Sequence, residues 1–156
     1  MQEALQAGRL SGAELSAWRG LLRVHASLVR ALDAELEAEH ALPITSYDVL
    51  TNLAHAPEQR MRMRDLAEAI VLSRSGLTRL VDRLEKEGLV KRAACASDAR
   101  GSFACLTEAG HAALERARPT HLDGVRRRFL AHFDADELEQ LGAYWERVLP
   151  GAAAAD

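Results

Sequence analysis

The chain has 156 residues, is 48% hydrophobic and carries a formal net charge of −3. That is enough for one domain with helical extensions around a real core, and it excludes a disordered, charge-expanded chain. No apolar run approaches the roughly 20 residues needed to cross a bilayer. The start has no basic stretch leading into an apolar core, so neither a membrane span nor a signal peptide is expected and the cytoplasm is the expected location.

The charge is unevenly placed. Residues 1–56 hold four basic and seven acidic residues, residues 57–101 ten basic and seven acidic, and residues 102–156 six basic and nine acidic. Only the middle segment is positive, an arrangement that limits unspecific adhesion while keeping a local attraction for phosphate.

Residues Glu14 to about His40 read as one long helix. Leu15, Trp18, Leu22, His25, Val29, Leu32 and Leu36 recur at three and four, and Leu21 and Leu28 widen the stripe. So wide a stripe on a terminal helix suggests a partner chain. Pro43 breaks the pattern, and Thr45 is the expected cap of a second helix through about His55, with Val49, Leu50 and Leu53 inward. Ala56-Pro57 ends it. The alternation Arg60-Met-Arg-Met-Arg predicts a very short strand at Met61. Asp65 to Ile70 gives a short helix with Leu66, Ala67 and Ile70 inward. Arg62 and Arg64, near its start, are candidate phosphate contacts or ordinary surface arginines.

The next helix carries the clearest signals. Ser73 stands at an N-cap, Leu72 and Leu77 have the spacing of a hydrophobic staple, and Leu77, Leu80, Val81 and Leu84 form one apolar stripe. Gly88 suits the left-handed residue that ends a helix, with Leu89 folding back. The opposite face carries Arg74, Ser75, Thr78, Arg79 and Arg83, hydroxyls and guanidinium forks of the kind that bond phosphates and base edges. Leu89 to Leu106 then reads as strand, turn and strand, with Ser97, Asp98 and Gly101 as turn formers.

Thr107 is the expected cap of a helix from Glu108 to about Phe133, bent at Pro119. Asp134 and Glu137 have capping-box spacing. They open a last helix with Leu138, Leu141, Trp145, Val148 and Leu149 on one face. Pro150-Gly151 stops it, and residues 151–156 are expected to be a disordered tail. The fold expected is mainly α with a small antiparallel β-wing.

Chemistry-bearing motifs are few. No phosphate-binding GxxxxGK[ST], no GxGxxG and no HExxH occurs. The six histidines form no i, i+4 pair, and Cys95 and Cys105 lack a CxxC spacing. No metal site, cofactor or enzymatic activity is therefore expected. The two cysteines fall on the two wing strands and could be neighbours across the hairpin.

A helix of this kind followed at once by a strand pair has the layout of a winged helix. Leu66-Ala67, Leu72-Ser-Arg-Ser, Thr78 to Val90, Asp98-Ala-Arg100 and Leu106-Thr-Glu-Ala-Gly110 resemble, in order and spacing, the MarR (multiple antibiotic resistance regulator) family. Ala99 departs from the pattern, since family wings often carry a second basic residue there. The resemblance implies a winged helix-turn-helix with N- and C-terminal dimerisation helices. Residues 1–44 would be the N-terminal dimerisation helix, 45–106 the DNA-binding region and 107–150 the C-terminal dimerisation helices. It also implies a homodimeric regulator, a ligand-responsive repressor, on a pseudo-palindromic site in double-stranded DNA.

On that reading Arg74, Ser75, Thr78 and Arg79 approach base edges and phosphates, with Arg83 on the same face. Gly76 lets the backbone come close, and Ser73 is a cap first and a phosphate contact second. Arg100 enters the minor groove, and Asp98 braces it. A small aromatic or lipophilic effector is implied, with Trp18, His25 and Tyr47 as candidate lining. Two other readings stay open: a winged helix that docks an acidic protein, and a redox-responsive regulator acting through Cys95 and Cys105.

Overall fold

Ser11 and Glu14 close a capping box. The Glu14 amide donates to Ser11 Oγ at 3.3 Å and the Ser11 amide to Glu14 Oε2 at 2.7 Å. Two amides left orphaned by the helix start are thereby satisfied. Helix α1 therefore begins at Gly12, two residues before the expected start, and runs to His40. The Ser-x-x-Glu spacing was the signal for it. A computed structural model describes residues 9–94 and 102–152; Cys95, Ser97, Asp98, Arg100 and Gly101 lie outside the described residues.

Only the far end of α1 enters the core, through Leu32 and Leu36. Ala41, in the left-handed region, turns the chain into α2 (Ile44–His55). Thr45 does not cap α2. The helix starts two residues earlier than that cap implies, with Pro43 at the N-cap, which has no side-chain acceptor to offer. The carboxylate of Asp33 on α1 accepts from the Ile44 amide instead, at 2.8 Å. An anion there also suits the positive end of the helix dipole. Val49, Leu50 and Leu53 are buried as expected, with Tyr47 beside them.

A short 3-10 turn leads to β1 (Arg60–Arg62), α3 (Met63–Ala69) and α4 (Arg74–Lys86). In α3, Leu66 and Ala67 are buried and Ile70 packs at the core edge. In α4 all four stripe residues, Leu77, Leu80, Val81 and Leu84, are buried. Ser73 Oγ accepts from the Gly76 amide at 3.1 Å. At the other end Gly88 has φ +75°, and the amides of Gly88 and Leu89 bond the carbonyls of Glu85 and Leu84. That pair of bonds is a Schellman stop.

Strands β2 (Val90–Ala94) and β3 (Ser102–Leu106) are antiparallel, and β1 adds to the other edge of β3. Met61 lies opposite Ala104, as the short strand requires. Cys105 lies opposite Lys91, while Ala94, the residue before Cys95, pairs with Ser102. The expectation that Cys95 and Cys105 neighbour each other across the hairpin falls on Cys95, outside the described residues.

Helix α5 (Glu108–Arg128) is stitched to the end of α4. Thr107 caps it, accepting from the Gly110 amide at 3.0 Å, and donates its own hydroxyl to the Gly88 carbonyl at 2.7 Å. The helix continues through Pro119 but stops at Arg128 rather than near Phe133. Phe129 leaves helical geometry (φ −127°, ψ −64°), and a 3-10 turn over Leu130–His132 follows. The Phe129 and Phe133 rings meet at 5.2 Å, and Arg127 and Arg128 both reach back to Glu35 on α1. The chain is thus bound to α1 before it turns into α6 (Ala135–Val148), which opens with the expected Asp134–Glu137 capping box.

The core lies between the second half of α1, helices α2 to α4, the inner face of the sheet and the first half of α5. Two surfaces are left over. On the first half of α1, Trp18, Leu21, Leu22 and Val24 are exposed, and α6 buries no residue at all, with Tyr144, Trp145 and Val148 open to water.

Candidate nucleic-acid interface

Because the stripe of α4 is fully buried, its other face is fixed outward. Arg74, Ser75, Thr78 and Arg79 are all exposed on it. The Thr78 hydroxyl donates to the Arg74 carbonyl at 2.9 Å, and Ser73 and Ser75 share a 3.3 Å hydroxyl contact. Ser73 is committed to its cap. A β-carbon at Gly76 would lie 3.1 Å from Ser73 Oγ, so glycine here also keeps the cap uncrowded. Arg79 edges a cleft of about 290 Å³ with Thr45, Leu72, Gly76, Leu80 and Arg83.

Arg83 is placed differently. Its Nη2 donates to Ser46 Oγ at 2.9 Å, and Nε lies 4.0 Å from Glu87. Ser46 is only 1% exposed. Arg83 is exposed on the outer face that the sequence assigned to it, and its guanidinium also partners a buried hydroxyl on α2. No sequence signal pairs residues 37 positions apart.

At the edge of the sheet away from β2, Arg60 and Arg62 on β1 lie over the Phe103 ring on β3, at 5.1 and 5.6 Å. Such contacts hold guanidinium groups against an aromatic face. Arg60 also pairs with Glu58 at 2.6 Å, and Arg64 contacts Asp65 at 3.4 Å. The two acids that adjoin the outward face of α4 are paired. Asp82 and Glu85 both receive Arg92 of β2, at 2.6 and 3.0 Å. Arg92 was missed by the sequence reading; its alternation in a strand beside two acids one helical turn apart was the available clue. Asp98 and Arg100, between β2 and β3 in sequence, lie outside the described residues.

The candidate effector residues are not brought together in the single chain. Trp18 is 53% exposed and His25 is exposed, both on the first half of α1. Tyr47 is buried and stacks on His121 of α5, ring centroids 4.4 Å apart. Burial pushes the Tyr47 hydroxyl and the Asp48 carboxyl above their usual ranges and the His121 imidazole below its own. Cys105 is buried. Among the described residues, no group of His, Cys, Asp and Glu could hold a metal ion, and no helix is long and apolar enough to cross a membrane.

The comparisons with known proteins agree with this architecture. Residues 42–101 match the family model described as MarR family. AbsC, a MarR family transcriptional regulator from Streptomyces coelicolor, is 36% identical with a TM-score of 0.83, over 90% of this chain and 94% of that one. A second MarR family regulator from Streptomyces coelicolor, solved in complex with DNA, is 36% identical with a TM-score of 0.84, over 95% and 96%. A variant of MarR from E. coli, solved with operator DNA, is 26% identical with a TM-score of 0.74, over 85% and 92%. Two relatives above 30% identity along nearly their whole length fix the assignment: this chain belongs to the MarR family of transcriptional regulators.

Proposed function

We propose that the chain is a homodimeric, DNA-binding repressor that reads a pseudo-palindromic duplex with α4 and the β2–β3 wing. The observation that carries this is the outward face of α4: Arg74, Ser75, Thr78 and Arg79 stand exposed together, while Asp82 and Glu85 are occupied by Arg92. A face with donors and no free acid suits a major groove, where guanidinium forks bond guanine and hydroxyls bond phosphate. That two relatives were solved with DNA supports the same reading. Ser73 and Gly76 serve it mainly through the cap. Arg83 contributes through the placement of α4 more than by contact. For Arg100 we propose entry into the minor groove, and for Asp98 the bracing of that arginine.

The dimer part of the reading rests on the exposed apolar stripes of α1 and α6. Exposed aromatic and aliphatic side chains on two helices need a cover, and an isologous pairing of two chains is the simplest one. On this reading residues 1–44 and 107–150 assemble the dimer and residues 45–106 read DNA. An aromatic or lipophilic effector would act where α1, α2 and α5 meet, close to Tyr47. Trp18 and His25 could line its site only where the second chain covers α1.

The test is selection of duplexes from a randomised library by the intact protein. Recovery of a two-fold symmetric site with half-sites about 10 base pairs apart is expected. Binding to all duplexes alike, with tight capture of an acidic protein instead, would favour the docking alternative.

A further inference from the structure

One side chain joins the wing to the recognition helix. Arg92 sits in the middle of β2. Its Nη1 donates to Asp82 Oδ1 at 2.6 Å and to Glu85 Oε2 at 3.0 Å, and Nη2 reaches the Thr78 carbonyl at 3.4 Å. Its backbone amide donates to Glu85 Oε1 at 3.1 Å. Thr78, Asp82 and Glu85 are spaced i, i+4 and i+7, so they form one stripe along two turns of α4. This stripe adjoins the outward face, since Thr78 belongs to both: its side chain faces outward and its carbonyl receives Arg92. Arg92 is 28% exposed, the least of the three ionic partners. A planar guanidinium with several fixed donors can span acceptors on successive turns; an ammonium point charge cannot.

We propose that Arg92 is a positioning residue for DNA reading. It fixes the angle and spacing between α4 and the β2–β3 hairpin, so that helix and wing meet neighbouring grooves of one duplex together. The inference rests on the DNA-reading function proposed above. The physical reason is preorganisation. Two reading elements on a rigid frame bind as one unit, whereas a wing free to swing must be ordered at each encounter. Arg92 needs no contact with DNA for this. A competing role is electrostatic, since Arg92 also neutralises two carboxylates that would otherwise repel phosphate. The two roles respond differently when the acids are removed as well.

The experiment uses the full chain with Arg92→Ala, Arg92→Lys and the triple variant Arg92→Ala, Asp82→Asn, Glu85→Gln. The probe is the duplex that the unaltered protein selects from a randomised library. Two protections are read on it: guanine N7 methylation for the major groove, and hydroxyl-radical cleavage for the minor groove. Arg92→Ala and Arg92→Lys are expected to bind this duplex about tenfold more weakly, the scale of one groove interaction removed. At saturation they should keep major-groove protection and lose minor-groove protection. The triple variant should stay weak and keep that split pattern. Arg92→Lys keeps the charge and one ion pair, so it carries the test if Arg92→Ala does not fold. Parental affinity in the triple variant would overturn positioning in favour of charge neutralisation. Parental affinity and parental protection in both single variants would overturn it outright. If the unaltered protein selects no duplex, the DNA-reading function falls and this inference falls with it.

Discussion

Arg83, on the recognition helix, donates to the hydroxyl of Ser46, which is buried on α2 37 residues earlier in the chain. The hydrogen bond ties the last turn of α4 to the scaffold. Arg83→Ala leaves a buried hydroxyl without its partner, which costs about 1–3 kcal/mol. Ser46→Ala removes the hydroxyl itself and should cost less, and the pair should be non-additive in a double-mutant cycle. Urea denaturation of the three variants measures this. Additive losses would show that the two groups do not act together.

Gly110 comes so close to Leu89 that a β-carbon would collide with that residue's carbonyl oxygen and with the Leu106 side chain. The obstruction is backbone, which cannot rotate away. Gly110→Ala should therefore push α5 off the end of α4 and lower stability by about 1–3 kcal/mol, as overpacking does. A melting temperature equal to that of the parent would contradict the close approach.

The elements with local signals were legible in the sequence. Ser73 and Gly88 bound α4 because a cap and a left-handed stop are written in adjacent residues. Asp134 and Glu137 opened α6 in the same way. What sequence reading missed depends on interactions between distant residues. Asp33 caps α2 from another helix, and Thr45, the nearer candidate, is left within the first turn. The stop at Arg128 depends on Glu35 and on the Phe129–Phe133 pair, neither visible from periodicity. In the candidate site, the outward residues of α4 followed from its apolar stripe. The bond from Arg83 to Ser46 and the grip of Arg92 did not, because a charged residue's partners are set across the fold.

The apolar surfaces of α1 and α6 make the oligomer testable. Leu141 is half-buried and Trp145 is 36% exposed on a helix with no fully buried residue in its own chain. Replacing both with glutamate should abolish the dimer and DNA binding together, with the parent sedimenting as a dimer at micromolar concentration. A stable, folded monomer of the parent would sink the dimer reading.

His121 gives a pH dependence with a definite sign. Burial lowers its pKa in the folded chain, so the folded state takes up its proton at a lower pH than the unfolded state, which titrates near 6.5. Below about pH 6.5 the unfolded state binds a proton that the folded state resists, and stability falls as pH drops. Asp48, whose pKa is raised by burial, acts oppositely: its contribution is fully present below about 3.8 and is lost as pH rises through its folded pKa. Subtracting the urea midpoints of His121→Gln from those of the parent isolates the histidine. The difference should move against the parent between pH 7.5 and 5.5; a constant difference would contradict a lowered imidazole pKa.

The central claim is that α4 reads base pairs, and Arg79 tests it most directly. Arg79 is exposed in the second turn of α4, beside Gly76 and clear of the Arg92 grip. A bidentate arginine–guanine pair is worth about 1–3 kcal/mol of discrimination. The measurement is binding of the parent, Arg79→Ala and Arg100→Ala to a randomised duplex library across a salt series. Arg79→Ala should flatten preference at one base pair in each half-site while non-specific affinity falls less. Arg100→Ala should weaken binding broadly and lower the salt slope by about one for each phosphate that is no longer neutralised. If neither variant changes affinity or sequence preference, this helix and wing do not read DNA.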